Sequence, residues 1–303
     1  MAEKKTIAVV GLGSMGAGMA ASLVRAGHAV RGYDPRPEPR RALADAGGLS
    51  AESPAQAAEG ADIAVVVVVN AAQTASVLSG DASLVPGLAP GAVVIACPTM
   101  APADAKRFAA LVESQGARYL DAPISGGAVK AEAGQLTVMA SGSREAFAAA
   151  RPALDAMAAT VYELGEEPGT GSAFKIVNQL LAGVHIAAAC EAVAFASRLG
   201  LDLAKVYEVI THSAGNSWMF ENRVPHVVEG DYSPRSATSI FTKDLGIVGD
   251  IARAHSFPLP MSASALQLFL MTEAAGMGRD DDASVARLFA RIASLDLPGT
   301  GDA

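Results

Sequence analysis

From Thr6 to Tyr162 the chain alternates short β-branched runs with Ala-rich stretches whose apolar residues return every three or four positions. That is the pattern of a parallel sheet covered by helices on both faces. Strands are expected at residues 6–10, 28–33, 62–69, 92–97, 117–121, 136–141 and 160–162. Helical spacing covers 14–26 and 103–115, and Ser53-Pro54 reads as an N-cap followed by proline at the first helical position. Beyond about Gly165 the β-branched runs stop, and helices are expected at 172–199, 204–213, 242–255, 262–275 and 283–292. The expected fold class is therefore α/β, a Rossmann-type doubly wound sheet in residues 1–165, followed by an all-α domain in 166–303 entered through a long helix. Glu166-Glu167-Pro168-Gly169-Thr170-Gly171 reads as a hinge, and catalytic clefts often lie at such junctions.

Composition narrows the function classes. With 51% hydrophobic and 18% charged residues over 303 positions, the chain can bury a sizeable core. A net charge of −8 without any cluster of Lys or Arg argues against nucleic-acid binding. Cys97 and Cys190 lie far apart without metal-ligand spacing, which points to a reducing compartment and to no metal site. Without a signal-peptide pattern at the start, the expected location is the cytoplasm, and no membrane partner is expected. The run 63–69 is too short to span a bilayer. The apolar run 180–197, interrupted by His185 and Glu191, reads as a helix buried within the protein or at a subunit contact.

Directly after the first strand stands Gly11-Leu12-Gly13-Ser14-Met15-Gly16, matching G-x-G-x-x-G. The first glycine permits a tight turn, the second a close approach of pyrophosphate to the backbone, and the third close packing of helix on strand. Asp34 ends the second expected strand, where a carboxylate accepts hydrogen bonds from ribose hydroxyls and disfavours the extra phosphate of NADP. NAD is therefore the expected cofactor, although Arg36, Arg40 and Arg41 follow closely and could hold a phosphate.

Hydride transfer from an alcohol also needs a proton acceptor and a means of holding the substrate. Lys175 and Asn178 are three apart at the start of the long helix, on one face, and partial burial beside a nicotinium ion would favour the neutral amine. A lysine in a first helical turn can equally point at water. Asp121-Ala122-Pro123-Ile124-Ser125-Gly126-Gly127 follows a strand, where a Ser hydroxyl and exposed N–H groups could cradle a carboxylate or simply form a Gly-rich turn. The five histidines show no ligand spacing, and Cys97 reads as a small hydrophobe rather than a nucleophile. Trp218 could wall a pocket or pack in the core, and Lys243-Asp244 reads as a helix start with the Asp suiting the dipole.

Together these segments resemble the β-hydroxyacid dehydrogenase family, which includes 3-hydroxyisobutyrate dehydrogenases and tartronate semialdehyde reductases. The glycine motif continuing into Met19-Ala20, the segment from Asp121 to Gly127, Gly169-Thr170-Gly171 with Lys175-Ile176-Val177-Asn178, and Lys243-Asp244-Leu245 carry the resemblance. It implies that Lys175 is the catalytic lysine, that Asn178 positions the substrate, and that Ser125, Gly126 and Gly127 hold its carboxylate. It further implies that Asn70, Thr99 and Lys243 serve the dinucleotide alongside Gly11, Leu12, Gly13, Ser14, Met15, Gly16 and Asp34. Two departures stand out: Gln179 where a second Asn is common, and Cys97-Pro98 before Thr99 where Ser is common. Within the family, residues 211–223 most resemble the branch that oxidises L-threonate, a four-carbon sugar acid, at C2 with NAD. Ser213, Asn216 and Ser217 would then be polar partners for the extra hydroxyls. The resemblance implies a small anionic hydroxy acid as substrate and a homodimer or homotetramer. Other readings are 3-hydroxyisobutyrate or tartronate semialdehyde as substrate, or a non-catalytic dinucleotide-binding module.

Overall fold

The computed structural model describes residues 4–300, and the chain divides into two compact units, Met1–Lys175 and Ile176–Ala303. In the first, β1 (Thr6–Val10), α1 (Ser14–Arg25), β2 (Ala29–Tyr33), α2 (Pro37–Asp45), β3 (Leu49–Ser50), α3 (Pro54–Ala58), β4 (Ile63–Val66), α4 (Ala71–Ser79), β5 (Val93–Ala96), α5 (Pro102–Glu113) and β6 (Arg118–Asp121) follow one another. The six strands form one parallel sheet in the order β3-β2-β1-β4-β5-β6, with Val10 beside Tyr33 on one side and Val66 on the other. This order reverses between β1 and β4, which opens a crevice at the carboxyl ends of the strands. Chain order after β6 runs β7 (Ile124–Ser125), α6 (Gly127–Ala133), β8 (Leu136–Ala140), α7 (Arg144–Met157) and β9 (Ala158–Glu163).

Strands β1, β4 and β5 are buried on both faces, which is why they read as continuous apolar runs. Ile7, Val9, Ile63, Val65 and Ile95 pack with Met19 and Leu23 of α1 and Phe147 and Leu154 of α7. Their neighbours Ala8, Val10, Ala64, Val66 and Ala96 pack with α3, α4 and α5 through Ala57, Leu78 and Phe108. Ser53 caps α3 as expected, its Oγ accepting from the Gln56 N–H at 3.1 Å.

Residues 136–141 and 160–162, expected in the same parallel sheet, instead form a separate three-stranded sheet in which β7 is antiparallel and β9 parallel to β8. Pro123 follows β6 almost at once and lacks the N–H needed to prolong that ladder, so the chain turns away. The strand expected at 62–69 ends at Val66, because its partner β1 ends at Val10 where Gly11 turns out of the sheet with φ +96°.

Helix α8 (Thr170–Arg198) is followed by α9 (Leu203–Thr211), α10 (Trp218–Glu229), α11 (Thr238–Ala254), α12 (Pro260–Thr272) and α13 (Val285–Ala293). The core of the second unit gathers Ile186, Val193, Phe220, Phe241, Phe269 and Val285, with the Phe241 and Phe269 rings stacked 5.3 Å apart. Sequence periodicity hid α10 because two polar residues occupy its inner face. Arg223 is buried against Asp282 at 2.5 Å, and His226 against Asp281 at 2.9 Å. Helix α8 is long and apolar enough to cross a membrane by composition, and half of its most apolar window is buried within the protein.

Candidate active site

The carboxyl ends of the parallel strands bring the dinucleotide motif together. Gly11 closes the turn after β1 by donating its N–H to the Tyr33 carbonyl at 2.8 Å, and the Leu12 N–H donates to Asp34 Oδ2 at 3.0 Å. Asp34 is thus tied to the glycine loop, and its Oδ1 accepts from both the main-chain N–H and the Nε of Arg36 at 3.0 and 2.9 Å. Burial pushes the Asp34 carboxyl up, but the hydrogen bonds from Arg36 and Leu12 outweigh it and hold it below the usual carboxylate range. Helix α1 starts at Ser14 behind Gly13, which offers no side-chain cap, so its first N–H groups and the positive end of its dipole face the strand ends.

Whether a dinucleotide fits can be asked of the glycines. A Cβ at Gly11 would lie 2.3 Å from the Val67 carbonyl oxygen, and one at Gly16 would lie 1.9 Å from that of Gly11. Those two are demanded by the fold. At Gly13 a Cβ would meet only the Arg36 guanidinium at 4.0 Å, which leaves open backbone where a pyrophosphate must approach closely. Uncapped donors, open backbone and an ionised carboxylate in that order fit NAD. Ser14 and Met15, inside the first turn of α1, sit beside this opening.

Asn70 follows β4 and caps α4, its Oδ1 accepting from the Gln73 N–H at 2.9 Å. Thr99 follows β5 and is half-buried. Asn70 stands at the carboxyl end of β4, which flanks the crevice, and Thr99 at that of β5, the next strand out. Ser125 ends β7, and Gly126 (φ +135°) and Gly127 (φ +77°) lead into α6 without a side-chain cap, so their backbone conformation requires glycine.

Lys175 is 7% exposed despite its charge. It lies four residues after Gly171, hence on the same face of α8 one turn on. That face is pressed onto the sheets: a Cβ at Gly171 would meet the Met139 and Asp121 carbonyl oxygens at 2.3 and 3.0 Å. Gly169 adopts φ +100°. The segment expected to be a hinge is therefore fastened within the first unit at its C-terminal end. Its fastening point is Asp121, fully buried at the end of β6, whose Oδ2 accepts from the Gly169 N–H at 2.9 Å and the Ser172 N–H at 2.8 Å. Burial pushes this carboxyl up, against hydrogen bonds from Ser172, Gly169 and Ser141 that draw it down.

In the second unit Asn178 donates to Gln179 Oε1 at 2.9 Å, Gln179 donates to Asp244 Oδ2 at 2.5 Å, and Lys243 Nζ lies 2.6 Å from Asp244 Oδ1. The glutamine that departs from the common asparagine is long enough to bridge Asn178 to a buried acid. Lys243-Asp244 does not begin a helix: α11 starts at Thr238, a turn earlier, so Asp244 serves this chain of contacts rather than the dipole.

Three expected substrate partners are committed locally instead. Ser213 Oγ donates to the Val209 carbonyl, Ser217 Oγ caps α10, and Asn216 Nδ2 donates to the Thr211 carbonyl and to Glu221. Trp218 is 49% exposed, which excludes core packing. Burial and the nearby Asp121 push the Cys97 thiol up to about 12, so it stays a protonated, inert side chain. Among the described residues no cluster of His, Cys, Asp or Glu could hold a metal.

Comparison with known proteins follows the same residues. Residues 6–165 match the NAD binding domain of 6-phosphogluconate dehydrogenase, and residues 169–289 match the NAD-binding domain of NADP-dependent 3-hydroxyisobutyrate dehydrogenase. The chain is 50% identical to an L-threonate dehydrogenase of Cupriavidus necator over 98% of its own length and 99% of that protein. It is 34% identical to an NAD-dependent L-serine dehydrogenase of Pseudomonas aeruginosa over 94% of this chain and 98% of that one. Among solved structures, one described as a 3-hydroxyisobutyrate dehydrogenase from Salmonella typhimurium superposes with a TM-score of 0.89 at 49% identity, covering 93% of this chain and 99% of that one.

Proposed function

Since the chain belongs to the β-hydroxyacid dehydrogenase family, we propose that it oxidises L-threonate at C2 to 2-dehydro-L-erythronate, with Lys175 as the proton-transferring group. The enzyme is an NAD-dependent hydroxyacid dehydrogenase. The observation that carries the proposal is a lysine held almost out of solvent on the second turn of a helix whose first turn is fastened to the sheets. Gly11 to Gly16 and Asp34 hold NAD, which when bound supplies the hydride acceptor. The Ser125 hydroxyl and the N–H groups of Gly126 and Gly127 take the substrate carboxylate, and Asn178 positions the substrate. Lys175, in its uncharged form, accepts the C2 hydroxyl proton as the C2–H bond breaks, and the resulting ammonium returns that proton in the reductive direction.

Identity to the Cupriavidus necator L-threonate dehydrogenase supports the substrate. 3-Hydroxyisobutyrate is the second reading, on the similarity to the Salmonella typhimurium structure. Lys175→Ala is expected to lower kcat by at least about 100-fold with NADH affinity unchanged, since a positioned acid or base contributes about 10²- to 10⁴-fold. Steady-state kinetics beside NADH fluorescence titration reads both, and a variant keeping more than about a tenth of kcat contradicts the role.

We further place the enzyme in the cytosol, on the strength of two buried, unpaired thiols at Cys97 and Cys190. Copies of the chain are proposed to associate through an apolar groove of about 780 Å³ between α8 and α9, where Phe195, Leu199 and Val209 are more than half exposed. Asp202 and Lys205 line the same groove with opposite charges, which a two-fold contact can set against each other across its axis.

A further inference from the structure

Asp121 is not among the residues assigned to substrate or cofactor, yet it is fully buried and surrounded by hydrogen-bond donors. Oδ2 accepts from the N–H groups of Gly169 and Ser172 at 2.9 and 2.8 Å, and from Ser141 Oγ at 3.3 Å. Oδ1 accepts from Ser172 Oγ at 2.7 Å. Ser141 Oγ in turn accepts from the Gly171 N–H at 2.9 Å. Gly169, Gly171 and Ser172, at the entry to α8, therefore all bond to one carboxylate and its serine partner. The main chains of Asp121 and Ser141 are themselves locked together by reciprocal N–H to carbonyl bonds of 3.0 and 2.8 Å.

A buried carboxylate is costly to desolvate unless its lone pairs are filled, and here four donors fill them. An N-cap normally comes from the residue just before its helix, so its side chain fixes only the local entry angle. This cap comes from 48 to 51 residues upstream, at the end of β6, the outermost strand of the large sheet. It fixes the helix against the sheet in rotation and in translation. The face so fixed carries Gly171, whose missing side chain lets α8 sit directly on the Met139 and Asp121 carbonyls, and then Lys175 one turn later. A rotation or slide of the first turn by an ångström would carry Lys175 Nζ by as much or more, and misplacement on that scale costs about 100-fold in rate.

We propose that Asp121 is a positioning residue for the reaction: it clamps the first turn of α8 through Gly169, Ser172 and Ser141, and so sets the place of Lys175. The inference rests on the reading of Lys175 as the proton-transferring group. Asn at 121 can preserve the clamp, with its Oδ1 accepting from the two main-chain N–H groups and its Nδ2 donating to Ser172 Oγ. Ala cannot.

The test compares Asp121→Ala, Asp121→Asn, Lys175→Ala and the double variant Asp121→Ala/Lys175→Ala in the full chain, with kcat expressed per NADH-binding site from fluorescence titration. Normalising in this way removes any loss of folded protein, which a merely structural role would produce. Asp121→Ala is expected to lower kcat per site by about 10- to 100-fold, with the NADH Kd within about twofold of wild type. Asp121→Asn is expected to recover most of that loss. In the double variant the Ala at 121 should add nothing to the loss from Lys175→Ala, because both act through one group. An Asp121→Ala enzyme with wild-type kcat per site, an Asn variant as impaired as Ala, or losses that multiply in the double variant would each overturn the proposal. A Lys175→Ala enzyme that remains active overturns instead the reading of the lysine. Should Asp121→Ala yield no folded protein, Ser172→Ala carries the test: it removes one donor, a several-fold loss per site is expected, and an unchanged kcat overturns the clamp.

Discussion

A methyl group added at Gly16 would lie 1.9 Å from the Gly11 carbonyl oxygen, whereas one added at Gly13 would meet nothing nearer than Arg36 at 4.0 Å. The two glycines of one motif therefore do different work, which their spacing alone does not disclose. Gly16→Ala forces backbone apart and is expected to lower the melting temperature by several degrees, as a loss of about 1–3 kcal/mol does in a domain of this size. Gly13→Ala leaves the fold at its wild-type melting temperature but raises KM for NAD by about tenfold or more, because the added methyl occupies the backbone opening for the pyrophosphate. Thermal denaturation and NAD saturation curves measured on both variants separate the roles. A Gly13→Ala enzyme with unaltered NAD affinity would remove that glycine from the cofactor site. Asp34 was legible from its distance to the glycine motif, but its pairing with Arg36 and Leu12 depends on a loop conformation that no sequence spacing reveals.

At the scale of elements, the strands of the large sheet were legible because burial on both faces leaves unbroken apolar runs, as in 63–66 and 93–96. Helix α10 was not, because its inner face carries Arg223 and His226, and only the distant Asp281 and Asp282 make that burial tolerable. The Gly-rich entry to α8, expected to be a hinge, carries main-chain contacts that its sequence does not disclose. Glycine there answers to a close approach of main chains from β6 and β8, contributed from 30 and more residues away. Helix α8 itself was expected to be buried within the protein or at a subunit contact, and its outer face retains Phe195 at 63% exposure. A charge at that position should oppose association without disturbing the core. Phe195→Glu is expected to sediment as a single chain where wild type sediments as an oligomer, and a wild-type enzyme that is itself monomeric at micromolar concentration contradicts the proposed contact.

For the whole molecule, the −8 net charge works against an anionic substrate at long range. Under the proposed function, recognition would rest on local donors, the Ser125 hydroxyl and the N–H groups that follow it, rather than on a broad positive field. The four motifs that carried the resemblance lie far apart in sequence, and in the first unit two of them, the segment from Asp121 and the entry to α8, are joined through the Asp121 carboxylate, while the glycine loop follows β1 of the same sheet. The polar residues of 211–217, by contrast, are spent on caps and turns, so the preference for a polyhydroxylated acid does not rest on them. Oxidation of L-threonate with NAD is read out by initial rates of NADH formation at 340 nm across a panel of hydroxy acids. With NAD in saturation, kcat/KM for L-threonate is expected to exceed that for 3-hydroxyisobutyrate, L-serine and D-threonate by about 10-fold or more, the discrimination that hydrogen-bonded hydroxyls provide. A higher kcat/KM for 3-hydroxyisobutyrate, or no NADH formed from any acid by protein that binds NAD, would contradict it.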